Sequence, residues 1–463
     1  MLLRLITRLV GWAVAIFYDV ERTGPTLPAG PVLVTANHPN ALVDPLVIFR
    51  TVARETRPLA KAPLFDQALV GTVLKGLGGL PVYRREDDPT LMHRNERTFD
   101  AAIAALHRGE AVQIYPEGQS HSEPALAQLR TGAARIALQA EARRHWTLGL
   151  QIQPVGLTYS KKHLFRGRVV AAFGPPFPVD GYREAFEADP RLAARQLTGR
   201  IREGLEALTL NLENPSEVEL VEVAERLYSR QKRLAGWRER VPLADRLPRM
   251  QQFARGLGWL RVTDPEGFQR LSRAVRRYRR YLAVFGARDG DVPPGYRPLD
   301  VARYILVQTL FLLLVLPLAA VGMLFWLPPF VVTRYVAPLF RPTLDQVATY
   351  KLGTAILVFP AWLALLAAGA WLLLGLRWMV VSLTVFPAVG LAAIAWHERQ
   401  ARLWEDFRVW VKVLRHPGDR DRLAEQRRWL VAEFDRLRDL RTVDGEGGQG
   451  HDRSEVGGAE APS

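Results

Sequence analysis

A histidine and an aspartate six positions apart, His38 and Asp44, have the types and spacing to do chemistry in this chain. They bracket Asn37-His38-Pro39-Asn40-Ala41-Leu42-Val43-Asp44, a turn-rich stretch that follows an apolar run. An imidazole held at one ring nitrogen by a carboxylate has a fixed tautomer and a basic second nitrogen. Such a pair takes a proton from a hydroxyl. On this octapeptide alone another reading stands beside it: Asp44 only caps a helix and His38 is a satisfied turn residue. Two further stretches have comparable chemistry. Gly78 to Arg85 ends in Arg84 and Arg85, a pair able to fork onto a phosphate or simply solvated before Glu86-Asp87-Asp88. Ile114 to His121 crowds Glu117, Ser120 and His121 around Gly118. It is not a nucleophilic serine elbow, because Ser122 stands where the second glycine of that motif belongs. Further on, Arg130 and Arg135 flank the mouth of an alanine-rich helix, a local anion site.

The elements that must position these residues alternate. Pro31 to Ala36 is short, β-branched and bounded by Gly30 and Asn37, so it reads as a buried strand. Asp44-Pro45 reads as the N-cap and first residue of a helix. Strands are predicted at 31–36, 57–61, 80–84, 111–115, 150–159 and 168–173. Helices are predicted near 45–54, 63–75, 95–108, 127–144 and 182–209. This order argues for an α/β domain with a largely buried sheet, whose active residues gather where strands end. Pro154 and Gly156 inside the strand at 150–159 predict a bulge or a wall against a ligand.

The chain has 463 residues, 62 Lys+Arg against 47 Asp+Glu and a formal net charge of +15, so its partner is acidic: nucleic acid, anionic lipid or a phosphorylated small molecule. With no cysteine, disulfides, thiolate zinc sites and cysteine nucleophiles are excluded. No charged residue occurs from Ile305 to Thr333 or from Leu352 to Leu376, and Trp378 to Trp396 is a third apolar run. Each is close to or above the ~20 residues that cross a bilayer core. Three such runs in one region predict an integral membrane protein.

The four motifs together resemble the glycerolipid acyltransferase family, which contains lysophosphatidate and glycerol-3-phosphate acyltransferases. Its N-H-x4-D block matches Asn37, His38 and Asp44; its proline-hydrophobic-arginine block is similar to Pro81 through Arg84. Its P-E-G block matches Pro116, Glu117 and Gly118, and its closing block Pro154 and Val155. The order is the family's, over roughly residues 20–210. Gln119-Ser120-His121 departs from the Thr-Arg-Ser that many members have there, which removes one phosphate-binding arginine. The P-E-G-x-S-H form followed by a long membrane-bearing tail looks more like the subgroup acylating glycerol 3-phosphate and dihydroxyacetone phosphate, with Arg130 replacing the missing charge.

The resemblance implies an acyltransferase domain with a largely buried mixed sheet flanked by helices. It implies His38 and Asp44 as catalytic residues, and Asn37, Arg84, Arg85, Glu117, Gly118, Ser120 and Arg130 on the substrate. The donor is acyl-CoA or acyl carrier protein, and no metal or cofactor is expected. The acceptor is glycerol 3-phosphate or dihydroxyacetone phosphate, with lysophosphatidate as the alternative and a non-catalytic membrane scaffold as the second.

The expected organisation has an interfacial helix (1–20), the acyltransferase domain (21–212), a helical basic region and linker (213–300) and a membrane region (301–397). Its two to three spans are expected near 305–332, 353–375 and 378–396. Amphipathic basic helices (398–441) and a disordered tail (442–463) follow. The arginines at 270–280 predict contact with anionic lipid rather than nucleic acid, anchored by Tyr278, Tyr281 and Phe285. The positive-inside rule places both the catalytic domain and the tail in the cytoplasm. Three full spans would separate them, so either one run is a re-entrant hairpin, with the first run and its Pro317 and Pro328-Pro329 as the candidate, or the rule fails here.

Overall fold

The computed structural model describes residues 2–83, 95–231, 241–285, 298–415 and 417–450. Its strands are β1 (Tyr18–Thr23), β2 (Val32–Ala36), β3 (Thr56–Lys61), β4 (Leu80–Val82), β5 (Ala111–Ile114), β6 (Gln151–Tyr159), β7 (Gly167–Phe173) and β8 (Phe177–Pro178). They form one sheet in the order β1-β7-β6-β2-β5-β3-β4, with β8 beside β6. From β6 through β2, β5 and β3 to β4 the pairing is parallel, while β7 runs antiparallel to β6. A mixed sheet results.

All five residues of β2 are buried, as expected for a strand covered on both faces. Leu33, with Val112 and Ile152, faces a core built from α4 (Asn95–His107), α5 (Gly132–Ala142) and α7 (Pro190–Glu206). Val32 and Val34 face the opposite core, with Val43, Val47 and Ile48 of α2 (Val43–Thr51) and Val14 and Phe17 of α1 (Leu2–Phe17). Five parallel strands deliver their carboxyl ends to one sheet edge, where β2 gives way to His38, β5 to Glu117 and β6 to Lys162.

Several expectations change. β1 was not predicted, because beyond Tyr18 and Val20 the residues of Tyr18–Thr23 are polar and no alternation is sustained; it is an edge strand paired with β7. Asp44 is not an N-cap: the helix begins at Val43 without a side-chain cap, which frees the Asp44 carboxylate for His38. β6 has no bulge, since its register is continuous with β2 from Gln151 to Val155 and with β7 from Val155 to Tyr159. Gly156 instead makes room for the chain itself: a Cβ there would lie 2.6 Å from the Leu208 backbone oxygen.

The chain divides into two compact units. The first holds Met1–Asn211, Pro242–Ala244 and Val321–Gly390; the second holds Leu212–Val241, Asp245–Ala320 and Leu391–Ser463. Among the described residues, three helices are long and apolar enough to cross a membrane: Ala302–Leu339, Val347–Leu374 and Leu376–Ala401. They lie in α11 (Pro298–Leu339), α12 (Val347–Leu374) and α13 (Leu376–Arg415). The hairpin expected near Pro317 and Pro328-Pro329 is absent, because α11 runs through all three prolines as one helix. Pro329 lacks the N–H that would bond the Phe325 carbonyl, and the Trp362 indole donates to that carbonyl instead at 2.7 Å. A neighbouring helix thus satisfies the group a proline frees, as an apolar phase demands.

In the second unit, α8 (Pro215–Gln231) and α10 (Pro265–Phe285) belong to the helical basic region. Tyr278 is not an interfacial anchor; it is buried with Leu271, Val275 and Leu282 on one face of α10, while Arg273, Arg276, Arg277 and Arg280 are exposed. α14 (Pro417–Gly450) extends past residue 441 through Gly445, Gly447 and Gly448, where a disordered tail was expected; nothing in the structure explains this. Residues 451–463 lie outside the described residues.

Candidate active site

His38 leaves the end of β2 and its Nδ1 lies 2.8 Å from Asp44 Oδ2. The turn between them is tight enough to put Ala41 at a φ of 42°. Asp44 is buried, and every polar contact it makes comes from a donor. Oδ2 also accepts the Asn40 backbone N–H at 2.7 Å, and Oδ1 accepts the Tyr159 hydroxyl at 2.7 Å. An ionised carboxylate can only accept, so Nδ1 of His38 carries the proton and Nε2 is the basic nitrogen. Burial, and then the Asp44 charge, push the Tyr159 hydroxyl well above its ordinary range, so it stays a donor. Tyr115 stacks on the imidazole at 4.2 Å between ring centroids. The His38 side chain keeps 14 % of its surface, which leaves the ring reachable from solvent.

Glu117 ties this turn to the next loop. Its Oε1 accepts the His38 backbone N–H at 2.8 Å, and Oε2 accepts the Ala127 N–H at 2.9 Å and bonds the His121 ring at Nε2. The His121 N–H returns to the His38 carbonyl at 3.1 Å. Burial alone would raise the Glu117 carboxyl, but hydrogen bonds from His121, Ala127 and His38 outweigh it and hold the group below its ordinary value. The same bond to Glu117 raises the His121 imidazole above its ordinary value. Glu117 is therefore a strut behind the histidine.

The remaining predicted residues divide. Asn37 spends both ends of its amide on the Leu157 backbone, donating to the carbonyl at 3.0 Å and accepting the N–H at 2.7 Å. Gly118 has a φ of +76°, and a Cβ there would lie 2.7 Å from Nε of Arg130, so the guanidinium sits over the glycine. Ser120 donates to Asp345 Oδ2 at 2.6 Å. Arg84 and Arg85 lie outside the described residues; the strand leading to them, β4, ends at Val82 on the same sheet edge.

Sequence reasoning missed four contributors: Tyr159, Tyr115, Lys162 and Asp345. Tyr115 precedes Pro116-Glu117 and Tyr159 closes β6, so strand-end aromatics were the available signal. Lys162 donates to the Pro39 carbonyl at 2.9 Å and to Ser122 Oγ at 2.8 Å, bridging the two active loops. Among the described residues no cluster of three His, Asp or Glu side chains is arranged to hold a metal ion.

A family model described as Acyltransferase matches residues 19–158. Glycerol-3-phosphate O-acyltransferase 2 of Saccharomyces cerevisiae is 32% identical over 201 residues, which cover 43% of this chain and 26% of that protein. Glycerol-3-phosphate O-acyltransferase 1 of the same yeast is 24% identical over 71% of this chain and 41% of its own length. An uncharacterised acyltransferase of Schizosaccharomyces pombe is 23% identical over 63% of this chain and 53% of its length. The chain thus spans between about a quarter and about half of the curated relatives it matches. Among solved structures, the 1-acyl-sn-glycerophosphate (LPA) acyltransferase PlsC from Thermotoga maritima is 19% identical, with a TM-score of 0.33 over 44% of this chain and 79% of its own.

Proposed function

We propose that the chain, whose residues 19–158 match the Acyltransferase family model, moves a fatty acyl group from a thioester to a hydroxyl of glycerol 3-phosphate. The observation that carries the reading is the His38–Asp44 pair at 2.8 Å, fixed in tautomer, with the His38 side chain partly exposed. His38 Nε2 takes the proton of the acceptor hydroxyl as its oxygen attacks the thioester carbonyl. Asp44 stabilises the imidazolium that forms. Collapse of the tetrahedral intermediate breaks the carbon–sulfur bond, and the imidazolium returns its proton to the thiolate. The products are an acyl ester and a thiol; no covalent enzyme intermediate is required. The donor is acyl-CoA or acyl carrier protein.

Arg130, with Arg84 or Arg85, holds the acceptor phosphate, and Gly118 leaves space for that arginine. The Gly118→Ala variant tests this arrangement. Its Cβ would occupy the Arg130 position, and a left-handed alanine costs roughly 1–2 kcal/mol. The expected result is an acceptor KM raised about tenfold, equivalent to the loss of one charge-assisted hydrogen bond, with the thioester KM unchanged. The three apolar helices suit an enzyme whose product partitions into lipid, and the flanking arginines favour a catalytic domain on the cytoplasmic side.

The test uses membranes containing the full chain and radiolabelled glycerol 3-phosphate, dihydroxyacetone phosphate or lysophosphatidate, each with acyl-CoA or acyl carrier protein donors. Label in a monoacyl lipid from glycerol 3-phosphate is the expected outcome. Label from lysophosphatidate alone would keep the chemistry and change the acceptor, and no transfer from any pair would reject the reading.

A further inference from the structure

Asp345 stands 225 residues from the serine it bonds, in the connection between α11 and α12. It is only 7 % exposed, and a carboxylate buried to that extent is costly unless donors meet it. The local chain holds it in place: the Thr343 carbonyl accepts the Gln346 N–H at 2.8 Å and the Val347 N–H at 3.1 Å. α12 is in turn seated on the sheet domain. Ala348 and Leu352 pack in the same core as Val14, Phe17, Val47 and Ile48, and Lys351 Nζ donates to the His163 carbonyl at 3.0 Å. All of these residues belong to one compact unit.

The serine that Asp345 receives is Ser120, in the loop that also contains Glu117 and His121. That loop is bonded to the His38 turn at three points: Glu117 to the His38 N–H, His121 N–H to the His38 carbonyl, and Lys162 from Pro39 to Ser122. Burial lowers the Lys162 ammonium below its ordinary value, and the nearby Asp345 charge opposes that shift. We infer that Asp345 is a positioning residue of the acyltransferase site, supplied by the membrane segment, which holds Ser120 and so fixes the acceptor side of the His38 turn. The α11–α12 segment thereby completes the site as well as anchoring it. This inference rests on the acyl-transfer reading above.

Two measurements on the full chain test it. The protein has no cysteine, so Ser120→Cys/Asp345→Cys provides a clean pair for oxidative crosslinking in membranes. Formation of the crosslink, absent from each single variant, is expected; its failure would overturn the juxtaposition whether or not the enzyme is active. In parallel, Asp345→Ala, Asp345→Asn and Ser120→Ala are assayed with varied glycerol 3-phosphate and varied acyl thioester. Asp345→Ala and Ser120→Ala should each raise the acceptor KM about tenfold with the thioester KM unchanged, and the double variant should be no worse than the weaker single one. Asp345→Asn keeps an oxygen acceptor for Ser120 and should recover part of the loss, which separates positioning from misfolding. Effects that multiply in the double variant, or an unaltered acceptor KM, would overturn the inference. An inactive wild-type chain would instead reject the acyl-transfer reading.

Discussion

Replacing His38 with alanine should abolish acyl transfer while leaving the protein folded. The base contribution alone is worth about 10²–10⁴-fold. His121, whose N–H bonds the His38 carbonyl, is already bonded through Nε2 to Glu117. Asp44→Asn offers a finer test. The Asn40 N–H and the His38 Nδ1–H both point at Oδ2, so the amide oxygen must occupy that position. Its NH₂ then faces the Tyr159 hydroxyl, which can accept as well as donate. The tautomer of His38 is preserved and only the negative charge is lost. The expected result is a kcat reduced about 10²-fold with both KM values nearly unchanged, since the charge acts on the imidazolium formed in the transition state. Asp44→Ala should be worse, because it leaves three buried donors unmet at about 1–3 kcal/mol each. Steady-state kinetics beside melting curves separate the two effects. Full activity in His38→Ala would remove the base assignment.

The sheet and the His38–Asp44 contact were legible because local chemistry and topology agree there. β2 and β5 are short β-branched or apolar runs stopped by polar turns, and each ends at the edge where its motif begins. The supports behind the pair were less legible. Nothing in Tyr159 or Lys162 as residue types says that they converge on the His38 turn; only the parallel registry of β6 with β2 brings them there. Asp345 had no local signal at all, because its partner is supplied by tertiary packing. Asn37 and Glu117 were read as facing substrate, yet their polar atoms are engaged with the protein's own backbone. A side chain bonded to the backbone on both sides acts as a strut, whatever its motif suggests about substrate. The hairpin expectation failed for a related reason: proline breaks a helix where its freed carbonyl has no partner, and Trp362 provides one.

Glu117 is the strut on which this distinction can be measured. Unlike Asp44, it meets a backbone N–H at each oxygen: His38 N–H at Oε1, and Ala127 N–H, with His121, at Oε2. A glutamine has one oxygen, so either orientation turns its NH₂ toward a backbone N–H and leaves that donor unmet, at about 1–3 kcal/mol. Glu117→Gln should therefore destabilise the protein where Asp44→Asn does not. Glu117→Ala should cost about 3–5 kcal/mol, the usual penalty for breaking a buried ion pair, and kcat should fall at least about tenfold as the His38 turn loosens. The pH dependence has a defined sign. The lowered Glu117 carboxyl contributes fully above its ordinary value of 4.5 and loses that contribution as pH falls through its folded value. The raised His121 imidazole contributes fully below its ordinary value of 6.5 and loses that contribution as pH rises through its folded value. The melting difference between wild type and Glu117→Ala should therefore be widest between 4.5 and 6.5 and narrow on both sides. A difference that stays level as pH rises past 6.5 would mean that Glu117 acts without His121, and the strut would then rest on its two backbone donors alone.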